Sequence, residues 1–375
     1  MPRREHARTH SPQSSALVNS LRYVSAPELL MQLLRSPGPS GHESVPARVW
    51  REYCSSFAQE VGGDSVGSSY ARVAGTAAGL TTAVVGHIDE IGLHISHIDD
   101  DGYLRFGQVG GWDAGVLIGQ RVSIRTREGE VPGVIGRKPI HLLKDEDRKK
   151  VPETRELHID IGAKDAEEAG KLVRIGDVAV IDAEPVEFRH DRIVSRSLDN
   201  RVGCFVAAEA ARLVSEAGGA PGDVLALAVT QEETTFAGAR TSAFAHDPDV
   251  AIVVDLTFAT DQPGIELGPI TKHPLESGPV IARGTSLHPL VFERLYAAAE
   301  AEGIPYTLES LGKGTGTDAD AIHLTRAGIP TGLISIPCRY MHSPVEMVSL
   351  ADIEAAARLI AAFARRLEPG TSFER

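Results

Sequence analysis

The chain of 375 residues is poor in cysteine and in positive charge. Its three cysteines, Cys54, Cys204 and Cys338, are odd in number and widely spaced. This arrangement fits neither a disulfide framework nor a zinc-finger pattern, and it favours a reducing cytoplasm. The formal net charge of −13 argues against a general nucleic-acid binder and against a protein that binds anionic membranes, because both classes favour basic patches.

Long hydrophobic runs are also missing. No stretch approaches the about 20 apolar residues of a membrane span, and the N-terminus has no apolar core of a secretion signal. We therefore expect a cytoplasmic protein without membrane contact. Residues 1–19 contain several arginines and serines and few apolar side chains, a composition typical of a disordered tail. The length exceeds the roughly 250 to 300 residues at which a single core stops growing, so we expect a second lobe or an insertion.

Three short apolar runs end in ionisable side chains. The runs are too short for typical helices and do not alternate in polarity, which predicts strands buried on both faces of a sheet. Because ligands of open α/β sheets bind at the carboxyl ends of strands, we expect a site at this edge. Glu232 and Glu233 follow the run 224–229, His87 and Asp89 follow 81–86, and Asp255 follows 250–254.

The region 93–190 has a different texture, with short alternating strands broken by turns. It predicts a β-rich insertion that separates two parts of an α/β domain, residues 20–92 and 191–375. In the second part, an alanine-rich helix over 202–214 begins close to Asp199, and a strand over 332–336 leads to His342.

Histidines and carboxylates at the strand ends suit a pair of divalent metals, with zinc first and cobalt or manganese behind it. Two metals about 3.5 to 4 Å apart need a bridging carboxylate and further ligands. An acid outside the coordination sphere can then act as general base. Adjacent residues leaving a strand point in different directions, so Glu232 and Glu233 can divide these roles. Taken alone, Asp199 is explained as a helix cap and Asp255 as a strand-end acid; the metal hypothesis depends on their shared position.

An ordered set of motifs resembles the TET (tetrahedral) aminopeptidases, which are co-catalytic di-metal peptidases related to glutamyl and deblocking aminopeptidases. The resemblance runs from about residue 25 to 367. It implies a three-layer α/β sandwich of the zinc-peptidase kind with a central mixed sheet, and an inserted dimerisation domain over 93–190. It also implies self-association as a dimer and a hollow tetrahedral dodecamer. The motifs are Gly86–Gly92, Leu198–Arg201, Gln231–Glu233, Gly238–Arg240, Val254–Asp255, Gly316–Ala319 and Arg339–Ser343.

The resemblance also implies roles for single residues. Asp199 would bridge two divalent metals, His87 and Asp255 would complete one site, and Glu233 and His342 the other. Glu232 would be the general base, and Asp89 would orient His87. The implied reaction is hydrolysis of the first peptide bond of short peptides.

Two segments depart from the family pattern. Thr234-Thr235-Phe236 replaces the usual Val-Gly after Glu233, and Lys313 lies within the glycine-rich turn. They leave the preferred N-terminal residue open. Two other functions stay open as well. A glycoside hydrolase would use Glu232 and Glu233 as a carboxylate pair about 5 to 9.5 Å apart, and a non-catalytic peptide-binding or shell protein would explain the changed segment.

Overall fold

The computed structural model describes residues 25–268 and 271–374. Residues 1–19, for which the sequence predicts a disordered tail, lie outside the described residues. Within the described ranges, no helix is long and apolar enough to cross a membrane.

Strands predominate before α5, and helices and strands largely alternate after it. The helices are α1 Glu28–Arg35, α2 Ser44–Cys54, α3 Ala114–Leu117, α4 Ala166–Leu172, α5 Leu198–Glu216, α6 Ala237–His246, α7 Pro289–Glu302, α8 Ala319–Ile322 and α9 Leu350–Arg365. The strands before α5 are β1 Glu60–Gly63, β2 Ser69–Val73, β3 Thr82–His87, β4 Gly92–Ile98, β5 Leu104–Val109, β6 Arg121–Thr126, β7 Gly129–Arg137, β8 Leu157–Asp160, β9 Val178–Ile181, β10 Val186–Phe188 and β11 Arg192–Ser195. Those after it are β12 Val224–Val229, β13 Val250–Phe258, β14 Val280–Gly284, β15 Thr307–Leu311, β16 Thr331–Cys338 and β17 Glu346–Ser349.

A mixed eight-stranded sheet forms the centre of the molecule, in the order β1-β2-β12-β3-β13-β16-β14-β15. Strands β12, β3, β13 and β16 run parallel, and β14 is antiparallel to β16. Alternate residues of the apolar runs face opposite sides. Val84, Ala226 and Ile252 pack against α1, α2, α5, α7 and α9, while Val85 and Leu227 pack against α6 and α8. The predicted three-layer α/β sandwich is confirmed, and the unbroken hydrophobicity of the strands follows from burial on both faces.

Helix α5 lies against β3 at backbone distance. A Cβ atom added to Gly86 would lie 2.2 Å from the carbonyl carbon of Gly203, so only glycine allows this approach. Because Gly86 precedes His87 and Gly203 follows Asp199 by four residues, the contact brings these two side chains together.

The segment from β4 to β9 forms a closed barrel in the order β4-β5-β8-β7-β6-β9. Its interior is a separate apolar cluster that includes Leu93, Ile95, Ile124 and Ile159. Strands β10, β11 and β17 form a three-stranded sheet. The division of the chain into a catalytic domain and an inserted dimerisation domain stays a prediction.

A buried ion network joins the turns around the carboxyl ends of the strands. Glu90 is 2% exposed, Arg196 6% and Arg201 0%. Arg196 Nη1 donates to Glu90 Oε2, Arg201 Nη2 donates to Glu90 Oε1 at 3.4 Å, and the Gly38 amide donates to the same oxygen at 2.9 Å. Arg196 and Arg201 lie on either side of Asp199 in the sequence, so one carboxylate fixes both flanks of that residue.

We expect Arg201→Met to lower the free energy of unfolding by about 3 to 5 kcal/mol, because it leaves part of the charge of Glu90 uncompensated in the core. The triple variant Glu90→Leu, Arg196→Met, Arg201→Met removes every charge of the network, and we expect it to recover most of that loss. Urea denaturation followed by circular dichroism measures both. Lys171→Met, which breaks an exposed ion pair with Glu167, is the control and should change stability by less than about 0.5 kcal/mol. An Arg201→Met variant as stable as this control would contradict the account.

Candidate metal centre

The seven side chains singled out in the sequence lie together at the carboxyl edge of the central sheet. Two imidazoles approach the carboxylate of Asp199 from opposite sides. His87 Nε2 lies 3.1 Å from Asp199 Oδ1, and His342 Nε2 lies 3.6 Å from Asp199 Oδ2. Each histidine also approaches one of the paired glutamates, with His87 Nε2 3.6 Å from Glu232 Oε2 and His342 Nε2 3.5 Å from Glu233 Oε1.

Three groups in this cluster have ligand atoms within 4.8 Å of one another: His87 with Asp199 and Asp255, Asp199 with Glu233 and His342, and His87 with Glu232 and Glu233. Asp199 is common to the first two groups. Its two oxygens face different histidines, as a carboxylate that bridges two cations requires.

The backbone around Asp199 departs from helical geometry. Asp199 and Asn200 have non-helical φ and ψ at the start of α5, and the peptide bond between them is cis. Asn200 Nδ2 donates to the carbonyl oxygen of Val254 at 2.8 Å, and Asn200 Oδ1 accepts from the Gly203 amide at 2.8 Å. The amide side chain thus connects the start of α5 to β13 immediately before Asp255.

His342 lies in a tight turn after β16, with a φ of +58°. Its Nδ1 lies 2.9 Å from the carbonyl oxygen of Gly111, which lies in the segment from β4 to β9. Because a carbonyl can only accept a hydrogen bond, Nδ1 carries the proton in this contact and Nε2 is left with a lone pair toward Asp199 and Glu233.

Asp89 connects the β3 exit to the β12 exit. Its carboxylate accepts from Ser40 Oγ at 2.6 Å and from the amides of Glu232 and Glu233 at 3.0 and 3.2 Å. His87 Nδ1 lies 3.4 Å from Asp89 Oδ1. Asp89 therefore contacts the imidazole of His87 and the backbone of both glutamates.

Four polar residues around the centre were missed by the sequence reasoning. Glu346 accepts from the amides of Asp199 and His342 at 3.1 and 2.9 Å, and Glu43 accepts from the Gln231 amide at 3.2 Å. Asp318 is buried, and its Oδ1 has no hydrogen-bond partner among the described residues. The fourth is Ser40. Of these four residues, only Asp318 could have been noticed in the sequence, because it lies in the glycine-rich turn. The other three do not directly follow an apolar strand, which was the pattern used to find site residues.

The two departures from the family pattern lie in turns. Thr234 and Thr235 are exposed, and Phe236 precedes α6 with a φ of +57°. Lys313 is exposed, and its carbonyl oxygen accepts from Thr285 Oγ1 at 3.0 Å.

The cluster concentrates negative charge in a buried volume. Burial, followed by the charge of neighbouring carboxylates, raises the pKa of Glu233 to about 8 and that of Asp255 to about 7. Burial also raises the pKa of Glu232 to about 10. Against the effect of burial, hydrogen bonds from His342 and His87 lower the pKa of Asp199.

The side chains fit a divalent cation. Glu233 Oε1 is buried without a hydrogen-bond partner among the described residues, and the oxygens and imidazole nitrogens around it are the donors that zinc, cobalt and manganese accept in proteins. A cation would offset the charge that otherwise disfavours the ionised carboxylates.

Comparison with known proteins assigns the family. Residues 67–359 match the family model described as M42 glutamyl aminopeptidase. The lysyl aminopeptidase of Pyrococcus furiosus is 34% identical over 345 residues, which cover 91% of this chain and 97% of the relative.

Solved structures agree with this assignment. A TET aminopeptidase from a marine sediment archaeon of the Thaumarchaeota superposes with a TM-score of 0.86 at 36% identity, covering 91% of this chain and 97% of the other. The TET1 peptidase of Pyrococcus horikoshii, described as assembling into a tetrahedron or a large octahedral shell, gives a TM-score of 0.80 at 32% identity, covering 91% and 99%. The resemblance to the TET aminopeptidases is confirmed. The chain belongs to the M42 glutamyl aminopeptidase family, and it is an aminopeptidase of this metal-dependent group of hydrolases.

Proposed function

We propose that the protein removes the N-terminal residue from short peptides with a pair of divalent metal ions. His87, Asp199 and Asp255 would hold one ion, and Asp199, Glu233 and His342 the other. The observation that carries this proposal is the shared Asp199, whose two oxygens face the two imidazoles at 3.1 and 3.6 Å.

The donor set favours zinc, with cobalt or manganese as alternatives, because it combines imidazole with carboxylate and contains no thiolate. When bound, the ions would act as Lewis acids toward the peptide carbonyl and toward water. Asp89 would keep His87 in its orientation through the 3.4 Å contact with Nδ1, as histidine ligands require.

Glu232 would move the proton. Its side chain is 8% exposed. Of the two glutamates, only Glu233 belongs to one of the two ligand groups that contain Asp199, so the carboxylate of Glu232 is not needed as a ligand in either proposed metal site. It would accept a proton from the attacking water and return it to the leaving amine. Its high pKa, caused first by burial, would fall toward the working range beside cations. The hydrogen bond from its amide to Asp89 fixes the backbone from which it acts.

The other two functions are less well supported. A glycosidase would need Glu232 and Glu233 to flank one bond, whereas each glutamate here approaches a different histidine. A non-catalytic shell protein would have no need of the complete set of candidate ligands.

We further propose that the inserted segment mediates self-association toward a tetrahedral dodecamer. Exposed apolar side chains on the barrel and on the loop between β7 and β8 support this. Val134 is 47% exposed, Ile140 58%, Leu142 65% and Val151 70%. Exposed apolar side chains that recur along one stretch of the chain, residues 134–151, are of the kind that an interface between subunits would bury.

Substituting Glu232 by glutamine should leave metal binding intact and reduce turnover. We expect kcat to fall by about 10² to 10⁴-fold, the usual contribution of general acid-base catalysis, with two ions per chain retained. Aminoacyl p-nitroanilide hydrolysis and elemental analysis measure the two quantities. Glu128→Gln, on the exposed turn between β6 and β7, should match the wild type in both. Full activity of Glu232→Gln would rule out the proposed role.

Removing single ligands should reveal the shared carboxylate. A chelator should abolish peptide hydrolysis, and zinc or cobalt should restore it. His342→Ala should keep about one ion per chain after dialysis, because His87, Asp199 and Asp255 are intact, whereas Asp199→Ala should lose both. Elemental analysis at fixed free metal measures the ratio. Retention of two ions by Asp199→Ala would contradict a bridging carboxylate.

Introducing negative charge at the exposed apolar side chains of the inserted segment should weaken self-association of the protein. We expect the double variant Ile140→Asp, Leu142→Asp to have a lower mass than the wild type in light scattering after gel filtration, because it places carboxylates in an apolar contact. Leu324→Asp changes a side chain that is 71% exposed outside the barrel and serves as the matched control. An unchanged mass of the double variant would exclude this surface from the interface.

A further inference from the structure

Glu309 is a half-buried carboxylate for which the described residues provide no cationic partner. It lies on the edge strand β15, and Thr257 Oγ1 donates to its Oε1 at the long distance of 3.5 Å. Burial raises the pKa of this carboxyl. Among the described residues, no lysine, arginine or histidine lies within ion-pair distance of it. The candidate catalytic chemistry does not use Glu309 either.

Thr257 relates Glu309 to the candidate metal centre. Thr257 follows Asp255 by two residues on β13, so both side chains point to the same face of the sheet, about 6.6 Å apart along the strand. The carboxylate of Glu309, which accepts from Thr257 Oγ1, therefore lies on the side of the sheet that carries Asp255, displaced from it along β13. A peptide whose first carbonyl lies at Asp255 could thus extend a long N-terminal side chain toward Glu309.

Hydrogen bonds connect β15 to the loop that follows β13. His273 Nδ1 and Thr307 Oγ1 are 2.8 Å apart. The backbone amide of His273 donates to Thr260 Oγ1 at 2.9 Å, and the Thr260 amide donates to the His273 carbonyl at 3.0 Å. Since Thr307 and Glu309 project from the same face of β15, the carboxylate is presented from a supported strand rather than from a free loop.

The charge of Glu309 is not balanced by a neighbouring cation among the described residues, and Lys313 on the glycine-rich turn is exposed. A positively charged substrate group is therefore favoured at the carboxylate of Glu309, and a negatively charged one is disfavoured.

We propose that Glu309 is a specificity-determining residue that selects peptides with an N-terminal lysine or arginine. This inference rests on the function proposed above, because it assumes that the first peptide bond is positioned at Asp255.

A selectivity ratio tests the proposal. The metal-loaded full-length enzyme is assayed on the p-nitroanilides of lysine, arginine, leucine and glutamate, and kcat/KM for lysine is divided by kcat/KM for leucine. We expect the wild type to prefer lysine and arginine, and Glu309→Gln to lower the ratio by roughly tenfold or more through loss of the charge pair. Glu309→Lys should reverse the preference toward glutamate. Lys313→Met should leave the ratio unchanged.

Two results would overturn the proposal: an equal fall for all substrates in Glu309→Gln, which indicates a structural role, or a wild-type preference for glutamate that Lys313→Met abolishes. A binding measurement distinguishes failure of this proposal from failure of the proposed function, because it does not require turnover. The binding of lysinamide and of leucinamide to the zinc-loaded Glu232→Gln variant is measured by calorimetry. If Glu232→Gln binds lysinamide more tightly than leucinamide, and the double variant Glu232→Gln, Glu309→Gln does not, the result supports selection by Glu309 even without turnover. Equal binding of the two amides rejects it.

Discussion

The carboxylate of Asp199 between two imidazoles is the interaction on which the rest of the site depends. Its oxygens lie 3.1 and 3.6 Å from His87 and His342, which come from opposite ends of the chain. The position is set by the close approach of Gly86 and Gly203 and by the contacts of Asn200 with β13. Every other candidate ligand is arranged around this one group.

Around the candidate ligands, a layer of buried polar groups maintains an arrangement of like charges that would otherwise separate. Asp89 and Glu346 accept backbone amides of the residues that carry the candidate ligands. Glu90, with Arg196 and Arg201, joins the turns on which these ligands lie. The cost of burying these charges is met by hydrogen bonds and ion pairs rather than by solvent. The protein thus combines a concentrated anionic centre with a rigid polar support.

Much of the fold and most of the candidate site could be predicted from the sequence because local patterns reported them. The runs before His87, Glu232 and Asp255 were apolar without alternation, and this hydrophobicity has a single physical cause, burial on both faces of a sheet. Parallel strands in such a sheet place their carboxyl ends at one edge, so the association of these side chains followed from topology. Glu346, Glu43 and Ser40 could not be found this way, since their roles depend on which backbone amides the turns present to them.

By itself the sequence determined the α/β class, the layer arrangement through family resemblance, and the residue types available for metal chemistry. Only the tertiary structure decided which oxygen of Asp199 faces which histidine and how the buried arginines share Glu90. It also decided that Glu309 lies beside Thr257. The physical reason is range: hydrophobic periodicity is a property of neighbouring residues, whereas a contact between residues 52 positions apart depends on the twist and register of the whole sheet.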